Sequence, residues 1–225
     1  MNRLSLRDAI KRLQAEYGKP KAPEITDPWL MILWENVAYL ADDERRQSAF
    51  RELEQSVGTR PDKILAATKN QLAKITSHGI LAAKFAEKLQ RCARIVLQEF
   101  DGDLRPVLRW LATKAKRAFQ KFPGIGEPGA EKILLFARSY PVLALESNGL
   151  RVLLRLGFGK EHNSYSVTYR AVQQAVVEEF TNDYKWLIAA HQLLRRHGQE
   201  LCRRNQPLCE QCPLAQQCQF YRSRG

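Results

Sequence analysis

The chain has 225 residues, 44% of them hydrophobic, and carries 36 Lys and Arg against 24 Asp and Glu, a formal net charge of +12. That length buries a real core in one large or two small domains, and no apolar run approaches the ~18 residues of a membrane span. The positive surplus points to a polyanion partner, nucleic acid first, because Lys and Arg gain affinity by releasing counterions from phosphates.

The opening "MNRLSLRDAIKRLQAEYG" lacks the apolar core of a signal peptide and reads as an amphipathic helix, with Leu4, Ile10, Leu13 and Tyr17 on one side. Asp8 and Glu16 argue against a mitochondrial address. The expected compartment is intracellular and reducing, cytoplasm or nucleoid. The five cysteines agree, since Cys92 stands alone and the other four crowd the last 24 residues, unlike a spread disulfide framework.

After the Pro-rich "GKPKAPEITDP", Trp29 to Ala41 reads as a buried helix. Further helices are expected at 43–57, 61–67, 70–75, 80–98, 104–120, 129–139, 147–156, 165–180 and 183–198, with Pro61, Gly79 and Gly102 as punctuation. No period-2 run competes with them, so the expected class is all-α, about ten helices. Cys92 falls on an apolar helix face and reads as core packing.

In "KFPGIGEPGAEKILLF" three glycines and two prolines separate two helical segments. Glycine opens backbone conformations closed to other residues and lets a ligand approach. Gly124, Ile125, Gly126 and Gly129 then lead into a helix start whose unpaired N–H groups suit a phosphate. An ordinary interhelical turn is the competing reading.

The tail spaces its cysteines as Cys202-x6-Cys209-x2-Cys212-x5-Cys218. Four thiolates within so short a stretch can surround one metal centre, either a [4Fe–4S] cluster or tetrahedral zinc, and the chemistry alone does not choose.

Three stretches in this order, "FPGIG" with its helix, "LALESNGLRVLLRLGF" and the cysteine tail preceded by "HG", resemble the helix-hairpin-helix DNA glycosylases of the endonuclease III superfamily. The resemblance runs from about residue 25 to 220. It implies an all-α fold of two helical domains. One is a six-helix barrel at 28–142 holding the hairpin at about 113–139. The other is an iron–sulfur domain of 1–27 plus 143–225 with its cluster loop at 202–218. It also implies a [4Fe–4S] cluster on Cys202, Cys209, Cys212 and Cys218 in preference to zinc, and a partner in double-stranded DNA carrying a lesion or mismatch. A monomer is expected.

Two decisive positions depart from the family pattern. Pro128 stands where bifunctional members carry the lysine that attacks the sugar and cuts the strand, and proline has no nucleophilic amine. It reads as the first residue of the second hairpin helix. Glu146 stands at the aspartate position, where the carboxylate supports an oxocarbenium-like sugar, on a stem one methylene longer. A capping or solvated carboxylate is the competing reading. "PWLMILWENVAYL" aligns with the family's early helix and places Glu35 on the adenine glycosylases' catalytic glutamate, which protonates the base. Pairing of Glu35 with Arg45 or Arg46 is the alternative. Tyr39 takes part of the place of the wedge that enters the duplex. "ITSHGILAAKFAEKL" resembles a second DNA-facing turn, with His78, Gly79 and Lys84 toward the strand, a simple turn residue being the competing reading of His78. Lys132, Arg203 and Arg204 are expected as further phosphate contacts, with a solvated pair the competing reading of the two arginines. The expected activity is a monofunctional glycosylase that flips out and excises a damaged or mispaired base. The alternatives are a catalytically silent DNA-binding protein and a glycosylase/lyase with another amine, Lys121 or Lys132.

Overall fold

A computed structural model describes residues 4–179 and 182–223. Among them are twelve α-helices and no strand, in keeping with the all-α class expected from the helical periodicity. The helices are α1 (Leu6–Tyr17), α2 (Pro28–Val37), α3 (Asp43–Ser56), α4 (Pro61–Ala66), α5 (Lys69–Thr76), α6 (Ala82–Glu99), α7 (Ala112–Phe119), α8 (Glu127–Phe136), α9 (Ser147–Leu156), α10 (Tyr165–Val176), α11 (Tyr184–Glu200) and α12 (Gln219–Arg222). Two units of chain divide them, Glu24–Ser139 and Met1–Pro23 with Tyr140–Gly225.

In Glu24–Ser139, α6 runs through the centre because its apolar positions recur at helical spacing, burying Phe85, Ala86, Leu89, Cys92, Ala93 and Val96 on one side. α2, α4 and α5 pack around it. Each fully buried leucine or phenylalanine here, such as Leu33, Leu53 or Phe119, contributes about 1.5–3 kcal/mol. α2 starts where Asp27 accepts the N–H groups of Trp29 and Leu30 at 2.9 and 3.0 Å, with Pro28 in the first turn. It stops at Val37, short of the expected Ala41, because Ala38 is extended and Leu40 takes a left-handed conformation (φ 52°). The helix expected over 104–120 is broken as well. A 3-10 turn at Arg105–Arg109 carries Pro106 in its first turn, and the chain is extended at Trp110 before α7 begins.

In the other unit, α1 and α9 both pack against α11. α1 begins at Ser5, whose side chain accepts the Asp8 N–H, and buries Leu6, Ala9, Ile10 and Leu13. Close approach of α9 and α11 depends on two glycines. A Cβ on Gly198 would lie 2.7 Å from Cβ and carbonyl oxygen of Asn148, and one on Gly149 would press on Leu194 at 3.3 Å. α10 ends at Val176; residue 180, the expected end, lies outside the described residues.

Candidate functional site

The glycine hairpin joins α7 to α8. Gly124 sits at φ +80°, and a Cβ there would lie 2.8 Å from Asn36 Oδ1, so both backbone and space call for glycine. Buried Asn36 on α2 anchors the hairpin by donating its Nδ2–H to the Pro123 carbonyl at 2.9 Å and to Ile32 at 3.0 Å. Its Oδ1 is buried without a partner. Ile125 is buried in the core and gives its N–H to Phe122, so it offers no side chain to a ligand. Gly126 caps α8 with no side-chain hydrogen bond, and Pro128 lies in the first turn, one residue after the helix start at Glu127. The exposed Gly126 therefore precedes a helix start that has no side-chain cap.

Three lysines near this hairpin, Lys116, Lys121 and Lys132, are held in ion pairs. Lys116 meets Glu127 at 3.1 Å and Glu131 at 2.9 Å. Desolvation alone would lower its pKa, but hydrogen bonds and charge from the two glutamates outweigh it and raise the pKa. Lys121 pairs with Glu99, and Lys132 pairs with Glu35. The alternative reading pairs Glu35 with Arg45 or Arg46; Glu35 instead meets Lys132, and Arg46 reaches the Ala38 carbonyl at 3.4 Å. As placed, Lys132 faces a carboxylate rather than a phosphate, and Glu35 would have to part from it to donate a proton.

A second turn, between α5 and α6, lies against the end of α2. A Cβ on Gly79 would fall 2.3 Å from the Tyr39 nitrogen and 2.6 Å from its oxygen, and Ile80 N–H donates to the Tyr39 carbonyl at 3.0 Å. His78 bonds Glu52 at 2.9 Å, so it is tied to α3, while Lys84 in the first turn of α6 is exposed. The Tyr39 ring stacks on Phe85, centroids 4.6 Å apart. Leu40, Ile80 and Leu81 beside it are 71%, 51% and 54% exposed. Sequence reading picked out Tyr39 and passed over this apolar trio; only the left-handed backbone of Leu40 and Leu81, which no periodicity reveals, lifts them outward.

In the unit containing α9, Glu146 is the N-cap. Its Oε1 accepts the Gly149 N–H at 2.8 Å and its Oε2 accepts Asn148 Nδ2–H at 2.8 Å. Asn148 Oδ1 in turn accepts from Arg151 at 2.7 Å, and Arg151 donates onward to the carbonyls of Gly198 (2.7 Å) and Cys202 (2.9 Å). A continuous chain of hydrogen bonds thus links Glu146 to the cysteine loop. Burial lowers the pKa of Arg151.

Cys202, Cys209, Cys212 and Cys218 line one pocket with Arg155, Leu208 and Phe220. Among the described residues no three His, Cys, Asp or Glu side chains stand as ready ligands for a single metal ion. Arg155 donates to Cys202 Sγ at 3.3 Å and to the carbonyls of Arg203 and Arg204 at 2.7 and 3.1 Å, shaping the loop while both of those arginine side chains stay exposed. Burial raises Cys202, and raises Cys212 to about 11. Cys92 is fully buried, pushed up to about 12 by burial, as a core thiol should be. The "HG" ahead of the cysteine tail packs one helix and lines the loop. Gly198 admits α9, and His197, 1% exposed and lowered to about 4 by burial, lies between Tyr17 and Cys212.

No family model matches the chain. It is 24% identical over 219 residues to endonuclease III of Thermotoga maritima, covering 97% of this chain and 92% of that protein. To endonuclease III of Escherichia coli K12 it is 21% identical over 221 residues, 98% and 97% of the two chains. Among solved structures, a trapped endonuclease III–DNA covalent intermediate matches with a TM-score of 0.78 at 18% identity, over 98% of this chain and 99% of that one. A thermostable thymine-DNA glycosylase matches with a TM-score of 0.74 at 17% identity, over 97% of each. The chain is endonuclease III-like along nearly its whole length, with the helix-hairpin-helix fold the motifs led us to expect.

Proposed function

We propose that the chain is a DNA N-glycosylase of base excision repair that removes a damaged or mispaired base without cutting the strand. The observation that carries the absence of lyase chemistry is at the hairpin. Pro128 occupies the first turn of α8, and the nearby Lys116, Lys121 and Lys132 are each paired with carboxylates. An amine must be neutral to attack C1′ of the sugar; proline supplies none, and at Lys116 the hydrogen bonds and charge of Glu131 and Glu127 raise the pKa and favour the ammonium.

DNA is gripped through the backbone of Gly124, Gly126 and Gly129 at the start of α8 and through the second turn at Gly79 and Lys84. Arg203 and Arg204 add phosphate contacts, and Lys132 joins them if freed from Glu35. Leu40, Ile80 and Leu81, with the neighbouring Tyr39 stacked on Phe85, suit insertion between base steps when the target base leaves the stack. Glu146 holds negative charge toward the developing oxocarbenium and orients water. Glu35 serves as acid once it leaves Lys132. A [4Fe–4S] cluster would be held by Cys202, Cys209, Cys212 and Cys218. The donor set fits it: four soft sulfurs around one pocket, where each thiolate can take a different iron. Its contribution is to order the loop bearing Arg203 and Arg204.

A second reading, a catalytically silent DNA-binding protein, is favoured by the engagement of both Glu146 oxygens in the α9 cap and of Glu35 with Lys132. Incubation of the purified protein with lesion-bearing duplexes tests the choice. Strand breaks only after alkali, with no borohydride-trapped adduct, support the glycosylase without lyase. Breaks before alkali, or a trapped adduct, overturn it, and tight binding with no base release supports the silent protein.

A further inference from the structure

The cluster pocket has an outer shell on the side of α1. Tyr17, the last residue of α1, has its hydroxyl 2.9 Å from His197 Nδ1, and His197 Nε2 lies 3.5 Å from Cys212 Sγ. The imidazole is buried, yet both its nitrogens face polar partners, as buried polar groups require. Arg196 stacks over the Tyr17 ring at 4.7 Å and bonds the Tyr17 carbonyl at 3.2 Å, holding the phenol in place. Arg12 on α1 also reaches Gln217 in the cysteine loop at 2.5 Å. α1 is therefore bonded to the loop directly through Arg12 and to α11 through Tyr17.

We propose that Tyr17 and His197 form a two-residue relay that fixes an N–H donor on the Cys212 sulfur and so raises the reduction potential of the bound cluster. The inference rests on the reading that the four cysteines hold a [4Fe–4S] cluster. A cluster-bound sulfur is a thiolate and only accepts, so His197 Nε2 must carry the proton. A neutral imidazole then presents a bare Nδ1, and the Tyr17 O–H donates to it. Each partner enforces the tautomer the other needs, the arrangement by which outer groups orient metal ligands. An N–H directed at a cluster sulfur stabilises the reduced form, which carries one more negative charge.

The test measures iron content and the cluster's reduction potential in the holoprotein of wild type, Tyr17→Phe and His197→Phe. Tyr17→Phe keeps the ring and loses only the hydroxyl, so it serves where His197→Phe fails to load. His197→Phe is expected to shift reduction toward more negative potential by about tenfold in the equilibrium, about 59 mV for one electron. Tyr17→Phe is expected to shift it the same way by less, because the donor tautomer is then no longer enforced. In the wild-type holoprotein the His197 ¹⁵N shifts should report a protonated Nε2 and a bare Nδ1. Full iron content with potentials equal to wild type in both variants overturns the relay while leaving the cluster reading intact. Wild-type protein without iron overturns the cluster reading, and the relay with it.

Discussion

At the scale of single residues, the proposed chemistry turns on Pro128 and Glu146, which were legible to different degrees. Pro128 needed only its identity, since no conformation gives proline an attacking amine. Glu146 could be seen as a carboxylate, but its engagement by the Gly149 N–H and by Asn148 depends on where α9 begins. The longer glutamate stem is taken up in reaching the third residue of the helix, which keeps a cap worth about 1 kcal/mol. Glu35 could be seen as a carboxylate within an apolar helix, while its partner Lys132, 97 residues away, could not be foreseen. Pro128→Lys should gain a borohydride-trapped covalent adduct with lesion-bearing DNA that the wild type lacks. An adduct of equal yield in the wild type would show that another amine already serves.

At the scale of elements, periodicity placed nearly every helix and missed where tertiary contacts cut one short. α2 stops at Val37 because the turn between α5 and α6 comes to lie on the backbone of Tyr39, an approach that Gly79 alone permits. Gly79→Ala must displace that backbone, and a loss of about 3 kcal/mol, the upper part of the overpacking range, is expected from denaturant unfolding. The break at Trp110 was missed because Pro106 is tolerated in a first helical turn and so reads as a helix start rather than a break. Asn36, a polar residue inside an apolar helix, carried no sequence signal of its role in holding the hairpin. Asn36→Ala leaves the Pro123 carbonyl unpaired and should cost about 1–3 kcal/mol by the same measurement. No loss would mean that the hairpin holds itself.

At the scale of the whole molecule, the order of three motifs along the chain was enough to anticipate the fold, and the net charge of +12 is what suggests a polyanion partner. The exposed apolar trio and the shell around the cysteines came only from the structure, since both depend on residues far apart in sequence. If Arg203 and Arg204 each meet a phosphate, their joint replacement by alanine should flatten the slope of log Kobs against log salt by about 1.8. An unchanged slope would remove both from the interface. The central claim is that Glu146 supports hydrolysis of an N-glycosyl bond. Single-turnover base release from duplexes carrying deaminated, oxidised, alkylated or mismatched bases, wild type beside Glu146→Gln, tests it most directly. The expected result is release from at least one duplex by the wild type and a rate at least about 100-fold lower in Glu146→Gln, with DNA affinity retained. Equal release by the two proteins would contradict it.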